Sequence, residues 1–263
     1  MTTATGIDQM VQVGDATLHL LRGGGGRPAL VLHGIEGPEG WLAFHEALSR
    51  QADVIAPSHP GFGLSERPEW MESIGHQALF YEWFLRERGI DEVDLIGFGI
   101  GGWIAAEMAA MNSENLRRLV LIDAAGVRPV EGETVDIFVQ PWRDIVAACV
   151  HNPEGAEEYR RIYDELPIVD FGGAREAGRS MTMRLCYRPY MHNPAFPAAL
   201  GAVRTPTLVV WGSDDRIIPV ECGRLYAGAI PGARIEVIEG CGHWPHYEKP
   251  AELAEVVAKF LGA

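Results

Sequence analysis

The chain of 263 residues is 47% hydrophobic and carries a formal net charge of −14 with a pI near 5.0. This length suits one large α/β domain with room for an inserted segment. A negative field of this size repels nucleic-acid phosphates and anionic membrane surfaces, so neither is an expected partner. The expected partner is a small-molecule substrate, and the sequence leaves a homodimer open.

The cysteines and the N-terminus predict a cytoplasmic protein. The four cysteines have no C-x-x-C spacing, which predicts reduced and mostly buried thiols rather than disulfides or a zinc site. The first residues, MTTATGIDQM, contain neither a basic region nor an apolar region typical of a signal peptide. No apolar run is long enough to span a bilayer.

Predicted strands and helices alternate along most of the chain. Short apolar runs predict strands at 17–21, 28–32, 53–57, 93–98, 116–122, 205–212 and 233–239. Helical periodicity is present at 40–50, 74–88, 100–111, 221–229 and 251–261. Such alternation predicts an α/β fold with a mostly parallel sheet and helices on both faces. Residues 127–203 depart from it, with helical stretches rich in Trp, Tyr and Met between Pro and Gly. We therefore expect a core of residues 1–126 and 204–263 with an inserted helical cap at 127–203.

The segment LIGFGIGGW, residues 95–103, satisfies two motifs. One is the dinucleotide-binding G-x-G-x-x-G, formed by Gly97, Gly99 and Gly102, with Asp123 at the end of the next strand to hold a ribose. Against it, at least two strand–helix steps precede this turn, whereas the fingerprint usually occupies the first. The other motif is the nucleophile elbow G-x-S-x-G, which Gly97 and Gly101 frame.

The elbow predicts further elements, and the sequence contains them in the required order. A candidate oxyanion loop, HGIEG at 33–37, follows an early strand. Asp214 and Asp215 follow a later strand, and His243 follows the last one. Elbow, acid and histidine in this order are typical of serine hydrolases of the α/β type. The backbone N–H groups of Ile35 and Ile100 are then the expected oxyanion hole.

With these motifs in place, the sequence resembles the α/β-hydrolase superfamily over nearly its whole length. SHPGFGLS resembles the family's D-x-P-G-x-G-x-S loop with Ser58 in place of the usual Asp, and WGSDDRIIP resembles its acid loop. The resemblance implies that Asp215 orients His243. Trp244, directly after the histidine, resembles the branch that hydrolyses meta-cleavage products across a C–C bond and that also contains esterases. The candidate substrate-pocket residues are Gly34, Glu36, Phe98, Trp142 and Trp244.

Two of the surrounding polar residues, Glu36 and His246, are expected at solvent-accessible positions. Glu36 is expected to be a solvated loop residue, and His246 a residue of the pocket rim or the surface. His243 and His246 lack the partner spacing of known metal sites, so no metal and no other cofactor is expected.

Glycine at position 99 excludes a covalent serine mechanism, because it has no side chain that could attack. Several functions stay open. The chain is either a hydrolase inactivated by the loss of its serine or an enzyme in which His243 and Asp215 act as a general-base pair. The expected substrate is a small to medium apolar ester, lactone or diketone. The alternatives are a non-catalytic ligand-binding member of the fold and, more remotely, a dinucleotide-binding oxidoreductase.

Overall fold

Eight strands form a single sheet in the computed structural model, which describes residues 6–163 and 173–262. The strands are β1 (Ile7–Val13), β2 (Ala16–Gly24), β3 (Arg27–Leu32), β4 (Ala52–Pro57), β5 (Val93–Phe98), β6 (Leu116–Ile122), β7 (Thr207–Gly212) and β8 (Arg234–Ile238). Their spatial order is β1-β2-β4-β3-β5-β6-β7-β8. The β1–β2 and β2–β4 pairs are antiparallel, and the other pairs are parallel. The predicted α/β class with a mostly parallel sheet is confirmed.

The central strands are apolar because both of their faces are covered. Every residue of β5 and β7 is buried, as expected for parallel strands between two helical layers. The edge strands β1 and β8 are mostly exposed.

Helices cover both faces of the sheet. They are α1 (Ala43–Leu48), α2 (Ile74–Glu87), α3 (Gly99–Met111), α4 (Trp142–Ala148), α5 (Glu157–Tyr163), α6 (Ala174–Cys186), α7 (Phe196–Leu200), α8 (Val220–Ala229), α9 (Pro245–Glu248) and α10 (Pro250–Leu261). One core cluster joins the sheet to α2, α3 and α8, and a second joins its opposite face to α1 and α10. The four cysteines are free and buried, as expected. No helix within the described ranges is long and apolar enough to cross a membrane.

The segment predicted as a cap lies between β6 and β7. Its described part contains α4, α5, α6 and α7, and residues 164–172 of the predicted cap lie outside the described residues. A backbone bridge joins Gly126, directly before the segment, to His192 within it. The division into a core and a cap stays a prediction.

Candidate active site

The turn between β5 and α3 has the geometry of an elbow with glycine at its apex. Gly99 is the first residue of α3 and has a φ of +49°. Few L-residues adopt this left-handed conformation without strain, whereas glycine does so freely. Glycine therefore keeps the sharp turn and relieves the strain that a side chain would add.

The glycines around the apex allow the helix to pack closely on the sheet. A Cβ on Gly97 would lie 2.3 Å from the carbonyl oxygen of Gly101, and a Cβ on Gly101 would lie 2.4 Å from the carbonyl oxygens of Leu32 and His33. A Cβ on Gly102 would lie 2.6 Å from the Cβ of Ala124. The glycine spacing thus has a packing cause, and no phosphate ligand is needed to explain it.

His243 and Asp215 form a buried, oriented pair beside this apex. The Nδ1 atom of His243 lies 2.8 Å from Oδ2 of Asp215, and both side chains are at most 4% exposed. The other carboxylate oxygen of Asp215 accepts the backbone N–H groups of Ile217 and Ile218 at 2.8 and 2.9 Å. These bonds fix the orientation of Asp215 so that it accepts a hydrogen bond from Nδ1 of His243. The Nε2 atom of His243 is then available to take up a proton. An ideal Cβ on Gly99 would lie 3.6 Å from that Nε2 atom.

The surroundings of His243 make its imidazole more basic than usual. Burial alone would lower its pKa, but the charge and hydrogen bond of Asp215, aided by the charge of Glu36, raise the pKa above its ordinary value. A raised pKa favours proton uptake, which a general base requires.

Asp123 is a second buried carboxyl next to Asp215, and the sequence pattern had linked it only to a ribose. It is 1% exposed, and its Oδ1 accepts the N–H of Gly212 at 2.9 Å. Burial and the charge of Asp215 raise its pKa well above the usual value. Because it is buried there, its carboxyl is not exposed to bind a ribose.

Ligand atoms of Asp123, Asp215 and His243 lie within 4.8 Å of one another. Asp215 already bonds to His243 and to two backbone N–H groups. The expected absence of a metal stays a prediction.

The predicted oxyanion loop lies against the apex. The Cα atom of Gly34 is 3.6 Å from an ideal Cβ on Gly99. In the described parts of the chain, no protein acceptor is bonded to the N–H groups of Ile35 and Ile100, so both remain available to a ligand oxygen. Their role in an oxyanion hole stays a prediction.

Glu36 and His246 are buried and paired, so the expectation of a solvated glutamate and a rim or surface histidine is wrong. Their side chains are 3% and 2% exposed, and Oε1 of Glu36 lies 3.5 Å from Nε2 of His246. The same Oε1 accepts the N–H of Gly34 at 2.8 Å. Burial alone would raise the pKa of Glu36, but the ion pair with His246 and the charge of His33 lower it. An ionised carboxylate therefore lies within the oxyanion loop.

The remaining candidate pocket residues occupy different places. Phe98 lies on the face of the sheet covered by α1 and α10, where its ring is 5.4 Å from that of Phe44 and 4.3 Å from that of His246. Trp244 is 1% exposed and its ring stacks 5.4 Å from that of Tyr163. Trp142 is partly buried at the start of α4. Contact of these residues with a substrate stays a prediction.

The strand order, the apex turn and the acid–histidine pair together define a hydrolase scaffold of the α/β type. The sequence pattern of the Alpha/beta hydrolase family matches residues 21–256, and the chain belongs to that family.

The chain is similar to several hydrolases over most of its length. It is 30% identical to a 2-hydroxymuconate semialdehyde hydrolase of Pseudomonas putida, over 90% of this chain and 88% of the relative. It is 29% identical to a 2-hydroxy-6-oxo-2,4-heptadienoate hydrolase of Pseudomonas putida F1, over 98% and 97% of the two chains. A solved 2-hydroxy-6-oxo-6-phenylhexa-2,4-dienoate hydrolase from Rhodococcus sp. RHA1 superposes with a TM-score of 0.82 at 23% identity, covering 99% of this chain and 100% of the other. The last likeness supports the fold alone.

Proposed function

We propose that this α/β-hydrolase chain hydrolyses a small, uncharged ester or lactone by general-base catalysis, with His243 activating water directly. The observation that carries the proposal is the position of Nε2, which faces the apex 3.6 Å from the place of a Gly99 Cβ. The hydroxyl of a serine nucleophile would stand one bond beyond that Cβ position, and a water molecule in the same place can donate the same hydrogen bond to Nε2.

The proposed step balances without a covalent intermediate. Neutral His243 takes a proton from water at Nε2 while the water oxygen bonds to the carbonyl carbon. The carbonyl electron pair moves onto its oxygen, which the N–H groups of Ile35 and Ile100 stabilise. When the tetrahedral intermediate collapses, the bond to the alkoxide breaks and the alkoxide takes the proton from His243.

Charge around the site favours an uncharged substrate. Asp215 and the ionised Glu36 lie close to the reacting position. The nearby Arg175 is already engaged by Glu39, at 3.2 and 3.3 Å. An ester without a carboxylate therefore meets less repulsion than the anionic dienoates named for the relatives.

The buried Glu36 also supports a second candidate, a binding protein without turnover. A carboxylate in the oxyanion loop repels a developing oxyanion, which slows hydrolysis while leaving ligand binding intact. The two candidates differ only in turnover, so one assay separates them.

The test is hydrolysis of p-nitrophenyl butyrate by the native chain, by His243→Ala and by the control His76→Ala on α2. Subtilisin stripped of its catalytic triad keeps a rate roughly a thousandfold above that of water. That residual rate comes from binding and the oxyanion hole alone, so we expect the native chain and the control to exceed it and His243→Ala to fall to it or below. Equal rates in all three proteins would refute the proposal. Saturable ester binding without turnover would favour the binding protein.

A further inference from the structure

The sheet ends at β8, and the outer edge of this strand is open. β8 is the last strand in the sheet order and pairs with β7 on its inner side. Within the described ranges, no hydrogen bond reaches the backbone groups of residues 234–237 that point away from β7. The side chains of Arg234, Glu236 and Val237 are exposed. An edge of this kind is a template for a strand of another chain.

The two charges of β8 lie on the same face of the sheet. Side chains alternate between the faces of a strand, so Arg234 and Glu236 point to one face and Ile235 to the other. The guanidinium of Arg234 lies 5.4 Å from the centre of the Phe260 ring on α10. Neither Arg234 nor Glu236 forms an ion pair with any described residue of its own chain. Both charges are therefore available to a partner.

The order of these charges makes the strand complementary to itself in one register. Antiparallel pairing about a two-fold axis places residues of the same face opposite each other. With the axis at Ile235, Arg234 of each copy lies opposite Glu236 of the other, which gives two ion pairs. An axis at Arg234 or at Glu236 would place like charges opposite each other, which is destabilising.

The other edge of the sheet lacks this property. β1 has the sequence IDQMVQV, in which Asp8 is the single charge. No antiparallel register of two β1 strands can pair it with a basic residue. Charge complementarity thus distinguishes the β8 edge from the β1 edge.

We propose that β8 is the interface with a second copy of this chain, in which the two β8 strands pair antiparallel about Ile235 and join the sheets of both copies. A strand pair alone is smaller than a stable interface, so α8 and α10, which flank β8 on its two faces, must extend it across the seam. The formal net charge of −14 on each copy opposes association, and the two Arg–Glu pairs offset part of this repulsion at the contact. The dimer does not depend on whether the chain hydrolyses esters.

Sedimentation velocity over a range of protein concentrations tests the proposal. At about 0.15 M salt the Debye length is about 8 Å, so the long-range repulsion is largely screened. We expect the native chain to dimerise, and Arg234→Glu or Glu236→Arg to weaken the dimer at least tenfold, because each creates two like-charge contacts. The controls Arg86→Glu and Glu69→Arg change the net charge equally at exposed positions outside β8 and should dimerise like the native chain. A native chain that stays monomeric, or a dimer that neither reversal in β8 weakens, would overturn the proposal.

An equimolar mixture of the two β8 variants tests the register itself. In a mixed pair, every introduced side chain faces an opposite charge, so Arg234→Glu and Glu236→Arg together should form a heterodimer as stable as the native dimer. The double variant, which carries both substitutions in one chain, should form a homodimer for the same reason. Its net charge equals that of the native chain, and both positions are exposed, so the fold should be kept. If neither the mixture nor the double variant restores the dimer, Arg234 and Glu236 do not face each other and the inferred register is wrong.

Discussion

Substitution of serine for Gly99 should turn the scaffold into a fast esterase. The Cβ of the new side chain would stand 3.6 Å from Nε2 of His243. One carbon–oxygen bond further on, the hydroxyl can reach the range of about 2.6–3.2 Å over which a nucleophile bonds to its base. In subtilisin, loss of the catalytic serine lowers kcat by a factor of about 10⁶. We expect Gly99→Ser to raise kcat for p-nitrophenyl butyrate by at least roughly 10³-fold, about 4 kcal/mol of barrier.

The same substitution should lower stability, because Gly99 has a φ of +49°. An L-residue in this region costs about 1–2 kcal/mol, which lowers Tm by a few degrees in a domain of this size. Gly99→Ala is the matched control, since it adds the same Cβ and strain but no hydroxyl. Pre-steady-state ester hydrolysis should show an acyl-enzyme burst in the serine variant alone. If the serine variant folds, loses the expected stability and yet turns over no faster than the alanine variant, the inferred orientation of Nε2 is wrong.

Three further predictions concern the groups behind the apex. Asp215 raises the pKa of His243, so the acid limb of the kcat–pH profile should lie above about 6.5, the ordinary pKa of histidine. Asp215→Asn should move this limb to lower pH. A limb that stays in place would contradict the coupling between the two residues. Asp123→Asn keeps the shape of the side chain and the acceptor for the buried Gly212 N–H, so it should leave Tm nearly unchanged. Asp123→Ala removes that acceptor and should cost about 1–3 kcal/mol in urea unfolding. Equal stability of the two variants would contradict the role of Asp123 as a structural acceptor. The Cβ of Gly101→Ala would meet two backbone oxygens, so this variant should be destabilised by about 3 kcal/mol or more. Gly228→Ala on α8 has no atom within 4 Å of its Cβ position and should be neutral or stabilising. Similar Tm values for the two variants would refute the packing argument.

Much of the fold and the order of the site elements could be predicted from local sequence patterns. The apolar runs at 93–98 and 205–212 indicated buried parallel strands, and β5 and β7 are fully buried. His243 and Asp215 were predicted as a pair from the motifs that follow two different strands. The fold brings the carboxyl ends of parallel strands to one edge, so residues distant in sequence meet there.

The buried polar groups could not be predicted in the same way. Glu36 and His246 are far apart in sequence, and nothing local distinguishes them from solvated residues. Their burial depends on how the oxyanion loop, Phe98 and α9 pack together. Asp123 likewise follows an ordinary strand, and only the neighbouring β7 turn brings it to Asp215. Such contacts are tertiary, and sequence periodicity contains no signal for them.

The glycine apex has a pharmacological consequence. Organophosphorus and fluorophosphonate inhibitors act by bonding covalently to the activated serine of related hydrolases, whose oxygen attacks their phosphorus. Gly99 has no side-chain nucleophile that could do so. The protein should keep its intact mass after prolonged exposure to a fluorophosphonate, while Gly99→Ser should gain one adduct. In a mixture of family members, compounds of this class would therefore inactivate those with a serine elbow and leave this chain unmodified.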